Sequence, residues 1–305
     1  LNNKKIDYMV VNTRFYPLSF FAVSYAKKRK IPSLVIEHGT GHFTVNNVFF
    51  DFMGHIYEHI ITELIKKRCR DFYGVSLACN QWLAHYKINA KGVLYNAINL
   101  EEIEKIYNAT DLGENICSKI EYNEKDFIIT YTGRLVKEKG IEKLIVAFEE
   151  IKQEYSNVKL CIAGDGPLYE ILSKKRRKGV YFLGKLEFFD VIQLLKYSKV
   201  YVLPTDYPEG LPTSVLEAMA CKNYVITTKA GGSKEVIINS NYGEIMEYNS
   251  VKELKKAILN IINNEIQRKK VIENAFQRIK ENYVWEKTCE QLIKIFDGDE
   301  SIWKK

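Results

Sequence analysis

Within this 305-residue chain, two segments combine residue types that could do chemistry on a charged, hydroxyl-rich ligand. The first is Gly133-Arg134-Leu135-Val136-Lys137-Glu138-Lys139-Gly140, between a β-branched run (127–132) and a helical pattern (139–154). Glycine at a strand exit lets the backbone turn sharply. Arg134 and Lys139 then stand at the carboxyl end of a strand, where open α/β sheets bind ligands. Arginine can grip phosphate oxygens with a two-pronged fork and lysine acts as a point charge, so together they suit a diphosphate. An ordinary basic turn is the plain alternative.

The second segment runs from Glu209-Gly210-Leu211-Pro212-Thr213 to Glu217-Ala218-Met219-Ala220. A helix starting near Pro212 or Thr213 presents unpaired backbone N–H groups, a ready anion site. Glu209 lies just outside that helix and Glu217 about one turn within it. Two carboxylates so placed can accept hydrogen bonds from hydroxyls on two parts of one ligand. The competing reading has Glu209 merely complementing the helix dipole.

Other segments are less specific. Gly164-Asp165-Gly166-Pro167 reads as a turn into a helix; Tyr169 stands where a dinucleotide fingerprint needs its third glycine. In Lys229-Ala230-Gly231-Gly232-Ser233-Lys234-Glu235, the paired Gly231 and Gly232 permit close backbone approach, and Glu235 is either a supporting carboxylate or an ordinary first-turn glutamate. Glu37-His38-Gly39-Thr40-Gly41-His42 follows another strand candidate and makes a plausible site loop, with His38 as a donor to a ligand hydroxyl or carbonyl. His38 and His42 would face one metal ion only on a helix, which two glycines oppose, so no metal site is expected. His55, His59 and His85 fall in helical patterns and read as ordinary surface or packing residues.

The elements that must position these residues alternate. Strand candidates lie at 6–11, 33–37, 73–78, 92–95, 127–132, 158–164, 180–184, 200–204, 224–228 and 243–246. Helical patterns fill 17–29, 49–70, 80–87, 139–154, 167–176, 187–197, 213–222 and 250–280. Strands separated by helices of this length imply right-handed βαβ units and parallel sheets, and the continuously apolar strands imply cover on both faces. The expectation is two Rossmann-like halves: a first domain at 1–100 on the acceptor side, a polar linker at 101–124, a second domain at 125–280, and a closing helix at 281–305 that returns to the first. The first half shows about four strands and begins almost directly with one, as though about two βα units were missing from its front.

Composition excludes several classes. Apolar residues at 46% and charged residues at 27% are globular values, which argue against disorder and fibrous repeats. No apolar run approaches 18 residues, and the opening LNNKKIDYMVVN is not a signal peptide. Six scattered cysteines without C-x-x-C pairs suit free thiols in a reducing cytoplasm. Of the net charge of +7, residues 1–110 hold most, with 14 Lys/Arg against 9 Asp/Glu. The clusters Lys27-Lys28-Arg29-Lys30 and Lys66-Lys67-Arg68-Cys69-Arg70 suit an anionic membrane face, or are simply solvated helix ends. Nucleic acid is not expected as a partner, since no basic stretch is interleaved with stacking aromatics in a recognised module.

Taken together, TGRLVKEKGIEKLIVAF, VKLCIAGDGP, VYFLGKL, EGLPTSVLEAMACKNYVITTKAGGSKEVI, IPSLVIEHG and GVLYNAIN resemble the retaining glycosyltransferases of family four, the group 1 transferases of GT-B fold. The resemblance spans roughly 6–290 in the family's order. It implies transfer of a sugar from a nucleotide-diphosphate sugar to an acceptor hydroxyl with retained configuration, in cell-surface polysaccharide or glycolipid synthesis. It also implies that Arg134 and Lys139 neutralise the diphosphate, so that no cofactor or catalytic metal is needed. Glu209 would meet donor-sugar hydroxyls and Glu217 the ribose; Gly210 and Leu211 would offer backbone N–H groups, and Gly133, Pro212 and Thr213 would complete the donor-binding set. Gly184 and Lys185 would border the base, His38 the donor sugar, and Gly231, Gly232 and Glu235 a supporting shell. Both halves would close over one cleft. Tyr283, Val284 and Trp285 resemble the start of the family's last helix.

Two departures stand out. Lys222-Asn223-Tyr224 replaces the usual Gly-x-Pro, which alters a turn. The family's opening strand and glycine-rich loop have no match here, so a fragment is expected, and a donor-binding module without turnover is one alternative. A nucleotide-sugar epimerase on the same fold is another, opposed by the Glu–seven–Glu pattern. The implied acceptor is a glycan or a lipid-linked one, the implied location the cytoplasm at the inner membrane face.

Overall fold

The computed structural model describes residues 5–45, 47–109 and 114–298. In chain order the elements are β1 (Met9–Asn12), α1 (Pro17–Arg29), β2 (Ser33–Glu37), α2 (Val48–Lys66), β3 (Phe72–Gly74), α3 (Leu77–His85), β4 (Gly92–Val93), α4 (Leu100–Asn108) and α5 (Glu114–Lys119). There follow β5 (Phe127–Thr132), a 3₁₀ turn (Lys137–Lys139), α6 (Ile141–Glu154), β6 (Val158–Ala163), α7 (Tyr169–Ser173), β7 (Val180–Gly184), α8 (Phe188–Tyr197), β8 (Val200–Leu203) and α9 (Thr213–Ala220). The chain continues with β9 (Tyr224–Thr228), α10 (Ser233–Val236), β10 (Glu244–Met246), α11 (Val251–Asn263), α12 (Glu265–Asn282) and α13 (Trp285–Phe296). Two compact α/β units result, each with one parallel sheet.

The first unit comprises the described residues up to Asn96, the short segment Pro208–Leu211, and the described residues from Trp285 onward. Its sheet runs in the order β1-β2-β3-β4. Helix ends are set locally. Pro17 opens α1, Lys27 to Arg29 occupy its last turn, and Lys30 adopts φ 57° to close it. Asn47 accepts from the N–H groups of Phe49 and Phe50, and Ser76 from that of Cys79, capping α2 and α3. The Ser76 cap explains why the strand expected at 73–78 is short: the chain turns helical at Leu77. α13 lays Leu292, Ile295 and Phe296 on Leu34, Tyr73 and Leu94, and Thr288 donates to the Tyr95 carbonyl at 3.0 Å.

The second unit comprises Ala97–Tyr207 and Pro212–Val284. Its sheet runs β10-β9-β8-β5-β6-β7, every pair parallel. All residues of β8 and β9 are buried, as strands covered on both faces must be. The stretch 101–124, expected as a linker, instead carries α4 and α5. Leu100, Ile103 and Ile106 are buried, and the Gln193 amide of α8 donates to the Ile106 carbonyl at 2.7 Å. Its charged residues misled because they form the outer face of an amphipathic helix. The single helix expected at 250–280 divides at Asn264 into α11 and α12. Of the expected segments, residues 1–4, 110–113 and 299–305 lie outside the described residues. Among the described residues all six cysteines are free thiols, and no helix is long and apolar enough to cross a membrane.

Candidate functional site

In the second unit, glycines bring the loops after β5, β6 and β7 together. The Gly133 N–H donates to the Ala163 carbonyl at 3.0 Å and the Gly164 N–H to the Gly184 carbonyl at 2.7 Å. Gly164 has φ +144°, and a β-carbon there would fall 1.9 Å from the Gly133 carbonyl oxygen. No other residue fits. The Leu135 N–H reaches the Asp165 carbonyl at 2.8 Å, so Gly164-Asp165-Gly166 packs against the arginine-bearing loop. Arg134 itself is exposed on that loop, and its carbonyl accepts from the Tyr131 hydroxyl at 3.0 Å. Gly184 (φ +67°) and exposed Lys185 leave the edge strand β7.

Lys139 stands at the sheet's switch point, where β5 and β8 are neighbours but their onward helices diverge. Gly140 (φ +70°) approaches so closely that a β-carbon would lie 2.0 Å from the Pro204 carbonyl oxygen at the exit of β8. The Asp206 N–H donates to the Glu138 carbonyl at 2.7 Å, joining the two loops. The Lys139 ammonium sits 5.3 Å from the centre of the Tyr207 ring. Behind it, Asp206 binds Lys143 at 3.2 Å and Asn249 at 2.8 Å. The exit loop of β8 leads into α9, which begins at exposed Thr213 after buried Pro212. Glu217 is half-buried on α9, and burial pushes its carboxyl above the usual glutamate range.

Glu209, Gly210 and Leu211 belong to the other unit, a correction to their expected place in the second domain. Gly39 and Glu209 form an antiparallel bridge, and the Thr40 hydroxyl donates to the Glu209 carbonyl at 3.0 Å. Ser76 donates to the Gly210 carbonyl at 3.0 Å and Asn96 to that of Leu211 at 2.9 Å. The first unit therefore gathers Glu209 with the His38 loop. The His38 ring nitrogen Nε2 lies 2.9 Å from the Asn12 side-chain oxygen, within hydrogen-bonding distance. Although the residue is exposed overall, crowding around the ring lowers its pKa and keeps it neutral at pH 7.

Gly231, with φ 55°, and buried Gly232 turn the chain from β9 into α10. The Glu235 carbonyl there accepts from Arg278 at 2.7 Å and from the Tyr283 hydroxyl at 2.8 Å. This anchors α10 to the end of α12.

Two features escape the sequence reading. Arg14, fully buried, lies 3.0 Å from Glu37 and 3.2 Å from Glu58, with its guanidinium 3.8 Å from the Tyr86 ring centre. Burial raises the Glu37 carboxyl, and Arg14 offsets this only in part. Burial also opposes ionisation of Glu58, but the Phe43 N–H, the Tyr86 hydroxyl and Arg14 together hold it below the usual range. The second feature is that His55, His59 and His85, expected as unrelated helix residues, gather around His42. Tertiary folding joins Arg14 to its carboxylates and brings His42 and His85 to α2; the one local signal is the spacing of four that puts His55 and His59 on one face of that helix.

Comparison with known proteins agrees with the fold. The pattern of the family described as "Glycosyl transferases group 1" matches residues 114–278. An uncharacterized glycosyltransferase of Methanocaldococcus jannaschii is 30% identical over 97% of this chain and 76% of its own length. The N,N'-diacetylbacillosaminyl-diphospho-undecaprenol alpha-1,3-N-acetylgalactosaminyltransferase of Campylobacter jejuni is 24% identical over 97% of this chain and 78% of its own. The crystal structure of Anabaena HepE in complex with UDP superposes with a TM-score of 0.77 at 17% identity, covering 95% of this chain and 79% of that one. The fold is that of the GT-B transferases, and the chain belongs to the group 1 glycosyltransferases.

Proposed function

We propose that the protein transfers a sugar, with retention of anomeric configuration, from a nucleotide-diphosphate sugar to a hydroxyl of a lipid-linked glycan. The observation that carries the donor reading is Lys139 at the β5/β8 switch point, seated by a glycine that no larger residue could replace. Arg134 and Lys139 then take the charge that develops on the departing diphosphate. Glu217 accepts from the ribose hydroxyls and the Gly184–Lys185 turn borders the base. Glu209 and neutral His38 serve the donor sugar. No metal is required for leaving-group departure in this reading.

Acceptor chemistry is suggested by the first unit's surface. Phe49, Phe50 and Phe52 of α2 are 60–66% exposed, beside Val48, Met53 and Ile60. A groove of about 770 Å³ lined by Phe15, Tyr16, Phe43, Val45, Phe50 and Met53 adjoins them. Exposed apolar surface of this extent marks an interaction site, and a lipid-borne acceptor at a membrane face suits it. The basic clusters lie at the other end of the same helices: the Lys27 ammonium donates to the Lys67 carbonyl at 2.7 Å. The Campylobacter relative, whose name describes a diphospho-undecaprenol-linked substrate, points the same way.

The test is calorimetry with a panel of nucleotide sugars, then turnover on lipid-linked acceptors with the product's anomeric configuration read by NMR. Donor binding that survives Lys139→Ala and Glu217→Ala unchanged would overturn the assignment. An inverted product would overturn retention alone.

A further inference from the structure

Four of the chain's five histidines meet at one place in the first unit. His42 comes from the loop after β2, His59 from α2 and His85 from the end of α3. Their nearest ligand atoms all lie within 4.8 Å of one another. The Nε2 atoms of His59 and His85 are 3.3 Å apart. Zinc–nitrogen bonds of about 2.0–2.1 Å in a tetrahedron put neighbouring nitrogens about 3.3–3.4 Å apart, so this pair already has the required separation. The gap to the third nitrogen, that of His42, must close by about 1.5 Å to reach that spacing, a movement open to the exposed His59 and His85 side chains.

The surroundings orient the rings as a metal site requires. Nδ1 of His42 lies 3.3 Å from Glu58 Oε2 and 3.1 Å from the Tyr86 hydroxyl. A carboxylate holding one imidazole N–H fixes the tautomer and leaves Nε2 with its lone pair for an ion. Glu58 is itself 2% exposed and held by Arg14, so the orienting group is rigid. The His85 ring stacks on Trp82 at 4.8 Å and 4°. His55 stacks on His42 at 4.0 Å.

We propose that His42, His59 and His85 form a binding site for a divalent transition-metal ion of the zinc class, with the fourth coordination position open to water. Three imidazoles are borderline-soft donors, suited to zinc rather than to magnesium or calcium. The ion would join α2 and α3 to the loop that also carries His38. The proposal does not depend on the reading given for the donor residues.

The full chain without an affinity tag, stripped with a chelator, is titrated with zinc chloride against a chromogenic chelator. Cobalt(II) chloride is added in a parallel series followed by visible absorption. One equivalent of zinc is expected to bind, with a tetrahedral cobalt spectrum that lacks thiolate charge-transfer bands. His59→Gln and His85→Asn should each weaken zinc at least tenfold, and the double variant should lose the site. Both side chains are exposed, and the cobalt spectrum of the unaltered chain gives a reading independent of any variant. Zinc binding equally tight in the double variant, a thiolate band, or no stoichiometric binding would each overturn the proposal.

Discussion

The main-chain carbonyl oxygen of His38 lies only 2.0 Å from where a β-carbon on Gly210 would fall. Backbone therefore meets backbone between the loop after β2 and the segment that carries Glu209. Gly210→Ala should force the two apart, at a cost of about 1–3 kcal/mol typical of overpacking. Denaturant unfolding would measure the cost, and turnover should fall with it. An alanine variant as stable and as active as the parent would show that the contact is not constraining.

Lys139→Ala and Arg134→Ala should behave differently from Gly210→Ala. Neither residue is buried in a core, so both variants should unfold near the parent's denaturant midpoint. Turnover should fall about 100-fold or more for each, the scale of removing one group that stabilises transition-state charge. Steady-state kinetics on the folded variants checks this. Parallel loss of stability and activity would make the residues structural.

Glu217 gives a pH prediction with a definite sign. Burial raises its pKa in the folded state, so folding favours the protonated carboxyl. That contribution is complete below the ordinary glutamate pKa and is lost as pH rises through the raised value. Glu217→Gln keeps the neutral form at every pH. The variant without ligand should thus match the parent's thermal stability near pH 4 and exceed it at pH 7–8, while donor binding weakens. A variant less stable than the parent at neutral pH would contradict the assignment.

Arg14 sits between two buried carboxylates, and Arg14→Met would leave Glu37 and Glu58 without their cation. Breaking a buried pair from one side costs about 3–5 kcal/mol. Urea unfolding should show a loss of that order, partly restored when Glu58→Gln is added. The restoration is the informative part, because a simple packing defect would be deepened by a second change.

The apolar end of α2 should bind membranes through its aromatic residues rather than through distant lysines. Flotation with neutral and anionic vesicles is expected to show binding to both, and Phe49→Ser with Phe52→Ser should weaken it at least tenfold. Binding abolished by salt and indifferent to the phenylalanines would move the membrane face to the basic clusters.

Much of this was legible in the chain because it is written in short stretches. The alternation of apolar runs and amphipathic helices foretold both parallel sheets, and Arg134 and Lys139 stood out because they share one loop with Gly133 and Gly140. What escaped is built from distant positions. Glu58 and His59 are consecutive on α2, yet one turns to buried Arg14 and the other to His85, and nothing in their neighbours foretells either partner. The region from Leu100 was misread for a different reason: charged residues between its isoleucines hid a buried helix face that only α8 could explain.

The closing helix α13 has a consequence for biogenesis. Leu292, Ile295 and Phe296 complete a core whose other members, Leu34, Tyr73 and Leu94, leave the ribosome some two hundred residues earlier. The first unit is therefore closed late, and until Phe296 emerges, Leu34, Tyr73 and Leu94 wait without those partners.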